Sequence, residues 1–132
     1  MSKGLTLILT AVLGYAGIDS YLQELKEQAK KENPSFTSFS VERGEKIFTT
    51  FHIGKRGKRI ACTSCHTQDL TKEGENIFTG KKIAPLSPKV NPKRLSDVRK
   101  VKKWLRRNFK DVYKREGTAQ EKGDVLVYIL SQ

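Results

Sequence analysis

The chain has 132 residues, the length of one domain, and its 26 basic and 14 acidic residues give a net charge of +12. In a cytoplasmic protein such a charge would favour nucleic acid as the partner. The export signal described next argues against nucleic acid and favours an acidic protein or an anionic membrane surface. A basic surface that serves only solubility is the alternative.

The first 16 residues have the pattern of a secretory signal peptide. Lys3 supplies the positive charge, residues 5–13 form the apolar segment, and Gly14-Tyr15-Ala16 offers small residues for cleavage. The apolar segment is too short to span a bilayer comfortably. We therefore predict export to the periplasm, with an uncleaved membrane anchor or a buried N-terminal helix as the alternatives.

Residues 18–32 are predicted to form a helix that is capped by Asp19 or Ser20 and stopped by Asn33-Pro34. Its apolar stripe is thin, which predicts that the helix packs on the outside of the domain. The stripe consists of Tyr21, Leu22 and Leu25.

A second helix is predicted to begin at a Ser40 cap, after a linker over residues 34–39, and to end at His52. Gly44 lies inside this helix, where glycine costs about 1 kcal/mol relative to alanine. We therefore predict that another helix crosses closely at Gly44. The residues expected on the inward face are Gly44, Ile47, Phe48 and Phe51. Residues 53–59 then form a basic loop that could mark a docking edge.

Residues 62–66 read C-T-S-C-H, which is the attachment pattern of a c-type haem. The thiols of Cys62 and Cys65 can each form a thioether with a haem vinyl group, and His66 can then ligate the iron. The chain has no other cysteine. A redox or structural disulfide is the main alternative, because a zinc site would need two further ligands and only His52 and His66 are available. We predict one covalent haem c.

Residues 67–92 are predicted to form a long irregular loop that wraps an edge of the haem. The carbonyl of Pro85 could accept a hydrogen bond from the ring N–H of His66 and so fix the imidazole, although an ordinary turn proline fits equally well. The apolar contacts expected from this loop are Ile83, Leu86 and Val90.

A helix over residues 96–110, capped by Ser96 or Asp97, carries one inward stripe in which only Asn108 is polar. The stripe consists of Val98, Val101, Leu105, Asn108 and Val112. A buried asparagine needs hydrogen-bond partners or a metal, so Asn108 is either a satisfied core residue or a ligand. The chain's one methionine is its first residue. The sixth position on the iron is therefore left to Asn108, His52, a lysine or no residue.

The last helix is predicted to begin with a capping box formed by Thr118 and Glu121. Tyr128 is expected to meet Gly44 and Phe48 at the predicted crossing, which is the arrangement of the first and last helices in small cytochromes c. The predicted divisions of the chain are a signal peptide (1–16), an N-terminal helix with its linker (17–39) and a cytochrome c domain (40–132).

From about Val41 to the C-terminus, the sequence resembles the small oxygen-binding cytochromes c called sphaeroides haem protein (SHP). The most specific stretches are I-A-P-L-x-P, which begins at Ile83, and W-L-x-R-N, which runs from Trp104 to Asn108. The resemblance implies an all-α, class I cytochrome c-like domain around one covalent haem, here with an extra N-terminal helix. The other matching segments are Glu42-Arg43-Gly44, the haem motif, Thr79-Gly80-Lys81 and Glu121-Lys122.

The resemblance also implies the axial ligands. In that family they are the motif histidine and the asparagine of the W-x-x-R-N segment, which correspond to His66 and Asn108. The ferrous iron of the family loses its asparagine and can then bind oxygen or nitric oxide. An amide oxygen is a hard, neutral ligand, which suits ferric iron better than ferrous iron. The side chain of Asn108, Trp104 or an arginine could then stabilise a bound gas.

The sequence departs from the family at one place. The best-known members carry a disulfide across the turn after the ligand asparagine, and the corresponding residues here are Phe109 and Gly117, so packing must fix this loop. We expect an exported haem protein that binds O2 or NO and exchanges electrons with another cytochrome of acidic charge, rather than a true enzyme. A simple electron carrier, closed at the iron by Asn108, His52 or a lysine, is the alternative.

Overall fold

The computed structural model describes residues 16–132, so nearly all of the predicted signal peptide lies outside the described residues. The helices are α1 (Ala16–Glu32), α2 (Val41–Thr49), α3 (Thr63–His66), α4 (Val98–Tyr113) and α5 (Ala119–Leu130). Two short antiparallel pairs connect them, β1 (His52–Ile53) with β2 (Arg59–Ile60) and β3 (Gly74–Glu75) with β4 (Lys82–Ile83). No helix within residues 16–132 is long and apolar enough to cross a membrane.

The predicted crossing of α2 and α5 at Gly44 is confirmed. A β-carbon on Gly44 would collide with the carbonyl group of Asp124 and with the Cβ of Tyr128, so a larger residue would push the helices apart. One turn further along α2, the rings of Phe48 and Tyr128 pack with their centroids 5.6 Å apart. The close crossing therefore holds Phe48 in the centre of the domain.

α2 ends at Thr49 rather than at the predicted His52. The backbone of Thr50 is extended and leads the chain directly into β1. Phe51 consequently lies outside the helix and is 46% exposed, so its expected place on the inward face is wrong. The predicted cap is confirmed, because the side chain of Ser40 accepts a hydrogen bond from the backbone of α2.

An ion pair between the half-exposed Arg43 and the buried Asp124 ties the start of α2 to α5. The carboxylate of Asp124, whose side chain is 1% exposed, accepts hydrogen bonds from Nε of Arg43 (2.9 Å) and from the backbone N–H of Ser40 (2.8 Å). The carboxylate is thus fully partnered, as a buried charge needs to be. The pair fixes the angle at which the linker enters α2.

Replacing Asp124 with alanine should lower the free energy of unfolding by about 2–3 kcal/mol, because the N–H of Ser40 loses its acceptor and a gap is left. The cost stays below that of a fully buried pair, since the side chain of Arg43 is 46% exposed and can turn to water. Urea unfolding of the haem-loaded protein measures the change. Glu73→Ala is the control, because Glu73 is exposed and forms no salt bridge with residues 16–132. Equal losses in the two variants would contradict the prediction.

α1 contributes to the core, whereas the sequence predicted a helix on the outside of the domain. Its apolar face packs against α5 and is wider than the predicted stripe, because residues one turn before and after that stripe also turn inward. The helix includes Asp19 in its first turn, so the predicted cap at Asp19 or Ser20 is wrong. The buried residues of α1 are Ile18, Tyr21, Leu25 and Ala29.

α4 begins at the predicted cap, where the side chain of Asp97 accepts a hydrogen bond from the first turn. It continues to Tyr113, and Lys114 then ends it in the left-handed conformation with a φ of 57°. Phe109 is buried as well, although it was not part of the predicted stripe. The predicted capping box at the start of α5 is confirmed. The buried members of the α4 stripe are Val101, Leu105 and Val112.

Candidate haem site

A cavity of about 500 Å³ lies between α3, α4, α5, β4 and the loop before β4. Apolar side chains from several of these elements form most of its walls. The haem motif and the polar residue of α4 reach the same space, so Cys62, Cys65, His66 and Asn108 all line one cavity. The apolar lining includes Phe48, Ile60, Leu86, Leu105, Leu126 and Ile129.

Local hydrogen bonds fold the motif into the single turn of α3. The backbone N–H of His66 donates to the carbonyl of Cys62 (3.1 Å), and the hydroxyl of Ser64 accepts from the N–H of Ala61 (3.0 Å). Residues three positions apart lie on the same side of a helical turn, which is why Cys62 and Cys65 reach the same cavity. A short segment therefore presents two thiols and one imidazole to a single space.

Packing fixes the motif from several sides. β3 passes so close that a β-carbon on Gly74 would collide with the carbonyl of Cys65. The ring of Phe48 packs against the imidazole of His66 with centroids 5.8 Å apart. Directly after the motif, Thr67 has a φ of 65°, which β-branched residues rarely adopt, and its hydroxyl forms two hydrogen bonds with the loop that follows. The direction of the His66 ring is therefore set by its surroundings.

Burial shifts the pKa values of two groups of the motif, the imidazole of His66 and the thiol of Cys62. It lowers the pKa of His66 to about 4, with a smaller contribution from the positive charge of Arg94, so the imidazole is neutral at neutral pH and keeps its lone pair for a metal. Burial, and then the neighbouring Cys65, raise the pKa of Cys62 to about 12. A thiol-disulfide catalyst needs a lowered thiol pKa, so the surroundings of Cys62 disfavour that alternative. The zinc alternative also lacks support, because no group of three or more His, Cys, Asp or Glu residues that could hold a metal ion lies between positions 16 and 132.

Asn108 lines the cavity from α4 and is partly exposed to it. Its side chain forms no hydrogen bond with any residue in the described range. A satisfied core asparagine would be bonded to a neighbouring backbone group, and that explanation therefore loses its basis here. The amide of Asn108 is free to meet whatever fills the cavity.

The two positions that carry a disulfide in the best-known SHP members are in direct contact. Phe109 is 5% exposed, and its ring lies so close to Gly117 that an added β-carbon would be 2.9 Å from the ring carbons. Tyr113 packs against the same ring, with centroids 5.4 Å apart. Packing of Phe109 thus fixes the turn after Asn108, as the missing cysteines led us to expect.

The other residues considered for the sixth iron position are placed differently. His52 does not line the cavity, and its ring packs against Tyr113 at 4.2 Å between centroids. It would have to move to reach an iron there. Lys82 is near the cavity but pairs with Glu75 at 3.1 Å. The lysines that line the cavity are Lys81, Lys82 and Lys100.

Pro85 is not among the cavity-lining residues. Its carbonyl accepts a hydrogen bond of 2.9 Å from the side-chain amide of Asn91. No hydrogen bond joins that carbonyl to His66 in the described structure. Pro85 therefore anchors the loop to Asn91, and its predicted contact with the imidazole is not formed in this arrangement.

The loop over residues 67–92 reaches the cavity at Ile83 and Leu86, as predicted. Val90 does not reach it and is 54% exposed, so its expected contact is wrong. Backbone hydrogen bonds to the carbonyl of Ser87 fold the following residues into a turn that carries Val90 outward.

Trp104 lines the cavity and is also 47% exposed, which places it at the mouth. The cationic groups of Lys103 and Arg107 lie 5.8 Å and 5.5 Å from the centre of its ring. Trp104, which the sequence analysis named as a candidate donor to a bound gas, therefore combines contact with the cavity and access to solvent.

Arg94 is a cavity residue that the sequence analysis missed. It lies in the loop before α4, is half-buried and forms no salt bridge with the described chain. Burial lowers its pKa from the ordinary value, because its charge is partly removed from water. Arg94 follows no periodic pattern, so only the folded cavity reveals it.

The residues present fit a covalently bound haem. The cavity offers two thiols for the vinyl groups, a neutral imidazole for the iron and apolar walls for the macrocycle. The guanidinium of Arg94, which forms no salt bridge within residues 16–132, is suited to a haem propionate, since arginine forms strong hydrogen bonds with carboxylates.

Several known proteins are similar to this chain over most of its length. The protein family described as "Domain of unknown function (DUF1924)" matches residues 34–129. The chain is 36% identical over 126 residues to the cytochrome c-type protein SHP of Cereibacter sphaeroides, a match that covers 96% of this chain and 97% of that protein. It is 35% identical over 104 residues to cytochrome c'' of Methylophilus methylotrophus, covering 79% and 72% of the two chains.

Solved structures of the same two relatives, cytochrome c'' and SHP, are similar in fold to this chain. The crystal structure of oxidised cytochrome c'' from Methylophilus methylotrophus superposes with a TM-score of 0.78 and 31% identity, over 89% of this chain and 95% of that chain. Oxidised SHP, described as an oxygen-binding cytochrome c, superposes with a TM-score of 0.75 and 34% identity, over 86% and 96%. The solution structure of cytochrome c'' was reported with insights into haem-ligand detachment, and its TM-score is 0.78. The predicted cytochrome c-like fold is therefore confirmed.

Proposed function

The chain belongs to the family of small c-type cytochromes that includes SHP and cytochrome c'', and we propose that it is an exported cytochrome that binds O2 or NO when reduced. In this proposal Cys62 and Cys65 hold one haem covalently, His66 is one axial ligand and Asn108 is the other. When bound, the haem supplies an iron that gains and loses one electron and can take up a diatomic gas.

The observation that carries the proposal is the free amide of Asn108 in the cavity that His66 also lines. Asn108 is the one polar residue of an otherwise apolar stripe, and no residue within 16–132 forms a hydrogen bond with its half-buried side chain. A metal ligand at this position would account for the residue type. SHP, the relative described as an oxygen-binding cytochrome c, supports the same function.

The packing around Asn108 favours a mechanism in which its side chain leaves the iron by rotation, without movement of the backbone. The backbone after Asn108 is held by Phe109, which packs on Gly117 and Tyr113. No hydrogen bond to a residue between positions 16 and 132 holds the side chain of Asn108 in another place. We therefore expect Asn108 to move by rotating about its side-chain bonds while α4 stays in position. The amide of Asn108 and the indole of Trp104 would be the N–H donors that the cavity lining could offer to a bound gas.

A simple electron carrier with a closed iron is the second candidate. The observation in its favour is that Lys81 and Lys100 also line the cavity, and a neutral lysine amine could ligate an iron in place of Asn108. In this case the iron would stay six-coordinate in both redox states and no gas would bind.

The N-terminal signal pattern and the net charge of +12 support the remaining parts of the proposal. The protein would be periplasmic, or anchored to the membrane if the signal is retained. Its electrons would come from an acidic redox protein such as another cytochrome.

Visible absorption spectra of the oxidised, reduced and reduced, carbon monoxide-treated protein test the proposed function. We expect c-type bands in all three states and a change on addition of carbon monoxide, because the proposed loss of Asn108 leaves a site open. Reduced protein that stays low-spin and does not respond to carbon monoxide or nitric oxide would establish the electron carrier instead. Protein without c-type bands would contradict both candidates.

Replacing Arg94 with leucine should lower the midpoint potential by roughly tens of millivolts, because a positive charge beside His66 disfavours the ferric state. The pH dependence of the potential should change too, since a propionate would lose its partner. Spectroelectrochemical titration measures both quantities. Arg94→Lys is the matched control, because it keeps the charge and should keep most of the potential. An unchanged potential in Arg94→Leu would exclude Arg94 from the haem environment.

A further inference from the structure

We propose that the hairpin formed by β1 and β2 docks on a membrane surface that carries anionic lipids. Residues 51–60, called the basic hairpin below, would place apolar side chains at the boundary between the lipid headgroups and the acyl chains. The cations of the hairpin would lie among the lipid phosphates. The proposal goes beyond the proposed function, because it depends neither on gas binding nor on the residue that ligates the iron opposite His66.

The inner face of the basic hairpin is fixed against the domain. His52 and Ile60 form a directly opposed pair. The ring of His52 packs against Tyr113 with centroids 4.2 Å apart, and Ile60 is 1% exposed and lines the haem cavity. A β-carbon on Gly54 would collide with the backbone carbonyl of Asp111, so the hairpin also lies close against the last turn of α4. The outer face of the hairpin therefore keeps one direction relative to the domain.

The outer face exposes two large apolar side chains. Side chains alternate between the faces of a strand, so Ile53 and its partner Arg59 lie on the face opposite to Ile60. Ile53 is 60% exposed, and Phe51, two residues earlier, is 46% exposed. The guanidinium of Arg59 lies 4.8 Å from the centre of the Phe51 ring, which places a cation beside the apolar pair. The other exposed large hydrophobic residues of the described chain belong to three separate segments and are Val41, Val90 and Trp104.

The tip of the hairpin carries cations into solvent. Four of the five residues 55–59 are basic, and all five are exposed. A β-carbon on Gly57 would meet no atom within 4 Å, so the tip projects away from the domain. Lys55 lies 3.9 Å from the carboxylate of Asp111, whereas the other three cations form no salt bridge within residues 16–132. Most of the charge of the tip is therefore available to lipid phosphates, and each cation near an anionic bilayer strengthens binding roughly fivefold.

A bilayer fits this surface better than a folded protein. A stable protein interface buries roughly 800 Å² on each partner and takes about 20–30 residues from each. The basic hairpin offers seven exposed residues on a projecting tip. A membrane surface needs no matching shape, because the affinity grows with the apolar area that enters the boundary and with the attraction of cations to anionic lipids. The long stems of lysine and arginine also let their charges reach the phosphates beside the inserted apolar side chains.

The test uses the haem-loaded protein and its sedimentation with vesicles. One kind of vesicle is an equal mixture of phosphatidylglycerol and phosphatidylcholine, and the other is phosphatidylcholine alone. We expect the ratio of bound to free protein to be at least about tenfold higher with the vesicles that contain phosphatidylglycerol. Equal ratios for the two kinds would overturn the proposal. Protein that binds neither kind would also overturn it and would leave a protein as the partner of the hairpin.

The double variant Phe51→Thr/Ile53→Thr tests the apolar pair. Threonine favours strands, so the hairpin should be retained. Val41→Thr/Val90→Thr is the matched control, because it removes two exposed apolar side chains outside the hairpin. With the phosphatidylglycerol vesicles, we expect the ratio of bound to free protein to fall at least about tenfold in the first variant and less than about threefold in the control. Equal decreases would overturn the role of the apolar pair.

The double variant Arg56→Gln/Lys58→Gln tests the cations of the tip. The matched control, Arg99→Gln/Lys103→Gln, also removes one exposed arginine and one exposed lysine, but from the part of α4 that lines the groove against α1. We expect the ratio of bound to free protein to fall at least about tenfold in the first variant and less than about threefold in the control. Equal decreases would mean that only the net charge matters and would overturn the proposed surface.

Hydrogen exchange measured by mass spectrometry locates the contact directly. We expect the backbone amides of residues 51–59 to exchange at least about threefold more slowly when phosphatidylglycerol vesicles are present. Slowing that is confined to α1 or α4 would place the membrane there and overturn the proposal. None of the substituted residues lines the haem cavity, so the absorption spectra of all four variants should match those of the parent protein. A failure of membrane docking is therefore distinguishable from a failure of the proposed function.

Discussion

The double substitution Cys62→Ser/Cys65→Ser is expected to remove the covalent haem and with it the native fold. Without the haem, largely apolar walls surround a cavity of about 500 Å³. At roughly 24 cal/mol per Å³, an unfilled cavity of this size would cost about 12 kcal/mol as an upper estimate. This is comparable with the whole stability of a typical domain, roughly 5–15 kcal/mol. We therefore expect the fold to depend on the haem as a core component.

Haem staining after denaturing gel electrophoresis and far-ultraviolet circular dichroism measure the two effects of that substitution. The double variant should lose the stain and most of its cooperative unfolding transition. Thr63→Ala is the control, because Thr63 lies between the cysteines and does not line the cavity. It should keep the stain and the transition. A double variant that retained covalent haem, or that unfolded as cooperatively as the parent protein, would refute the account of the motif.

The part of the site that could be predicted from the sequence is the part built by local geometry. Cys62, Cys65 and His66 reach one cavity because a single helical turn places them together, and this depends only on their spacing. Asn108 was recognised because the periodicity of α4 predicts an apolar residue at its position, and asparagine is the one polar residue of that stripe. Gly44 was recognised in the same way, since a glycine inside a helix is costly unless another helix needs the space.

The part that could not be predicted depends on how separate segments meet. Arg94 belongs to an irregular loop, and only the folded chain brings it beside His66. Val90 looked like a loop residue that would contact the haem, but the turn formed at Ser87 carries it into solvent. The periodicity that placed Phe51 on the inward face stops applying where α2 gives way to β1. In each case tertiary contacts, rather than local preference, decide the position.

Asn108→Ala is expected to change the spectrum of the ferric protein and to open the ferric iron to added ligands. If the amide of Asn108 is the sixth ligand, its removal leaves a position that water or an added anion can take. We expect the affinity of the ferric protein for azide to rise at least about tenfold, which corresponds to the loss of about 1.4 kcal/mol of competition from the internal ligand. Absorption titration with azide measures the change, and the ferric absorption bands should shift in the same variant.

Asn76 provides the matched control, because it is an asparagine that lines the same cavity. Its side-chain oxygen already accepts hydrogen bonds from the backbone N–H groups of Phe78 (2.8 Å) and Thr79 (3.1 Å), so it is not free to bind an iron. Asn76→Ala should loosen that turn and leave the ferric spectrum and the azide affinity unchanged. Parent-like behaviour of Asn108→Ala would remove Asn108 from the iron and favour a lysine as the sixth ligand. Lys81→Ala and Lys100→Ala would then be the variants in which the ferric spectrum changes.

A second substitution at the same position, Asn108→His, separates ligand strength from ligand position. An imidazole is a stronger ligand for ferrous iron than an amide oxygen, so the variant should stay six-coordinate on reduction. We expect it to bind carbon monoxide at least about tenfold more weakly than the parent protein, measured by titration of the reduced form. Phe109 and Gly117 keep the backbone at this position fixed, so the substituted side chain starts from the same place as the amide. If Asn108→His bound carbon monoxide as tightly as the parent protein, residue 108 could not control access to the iron.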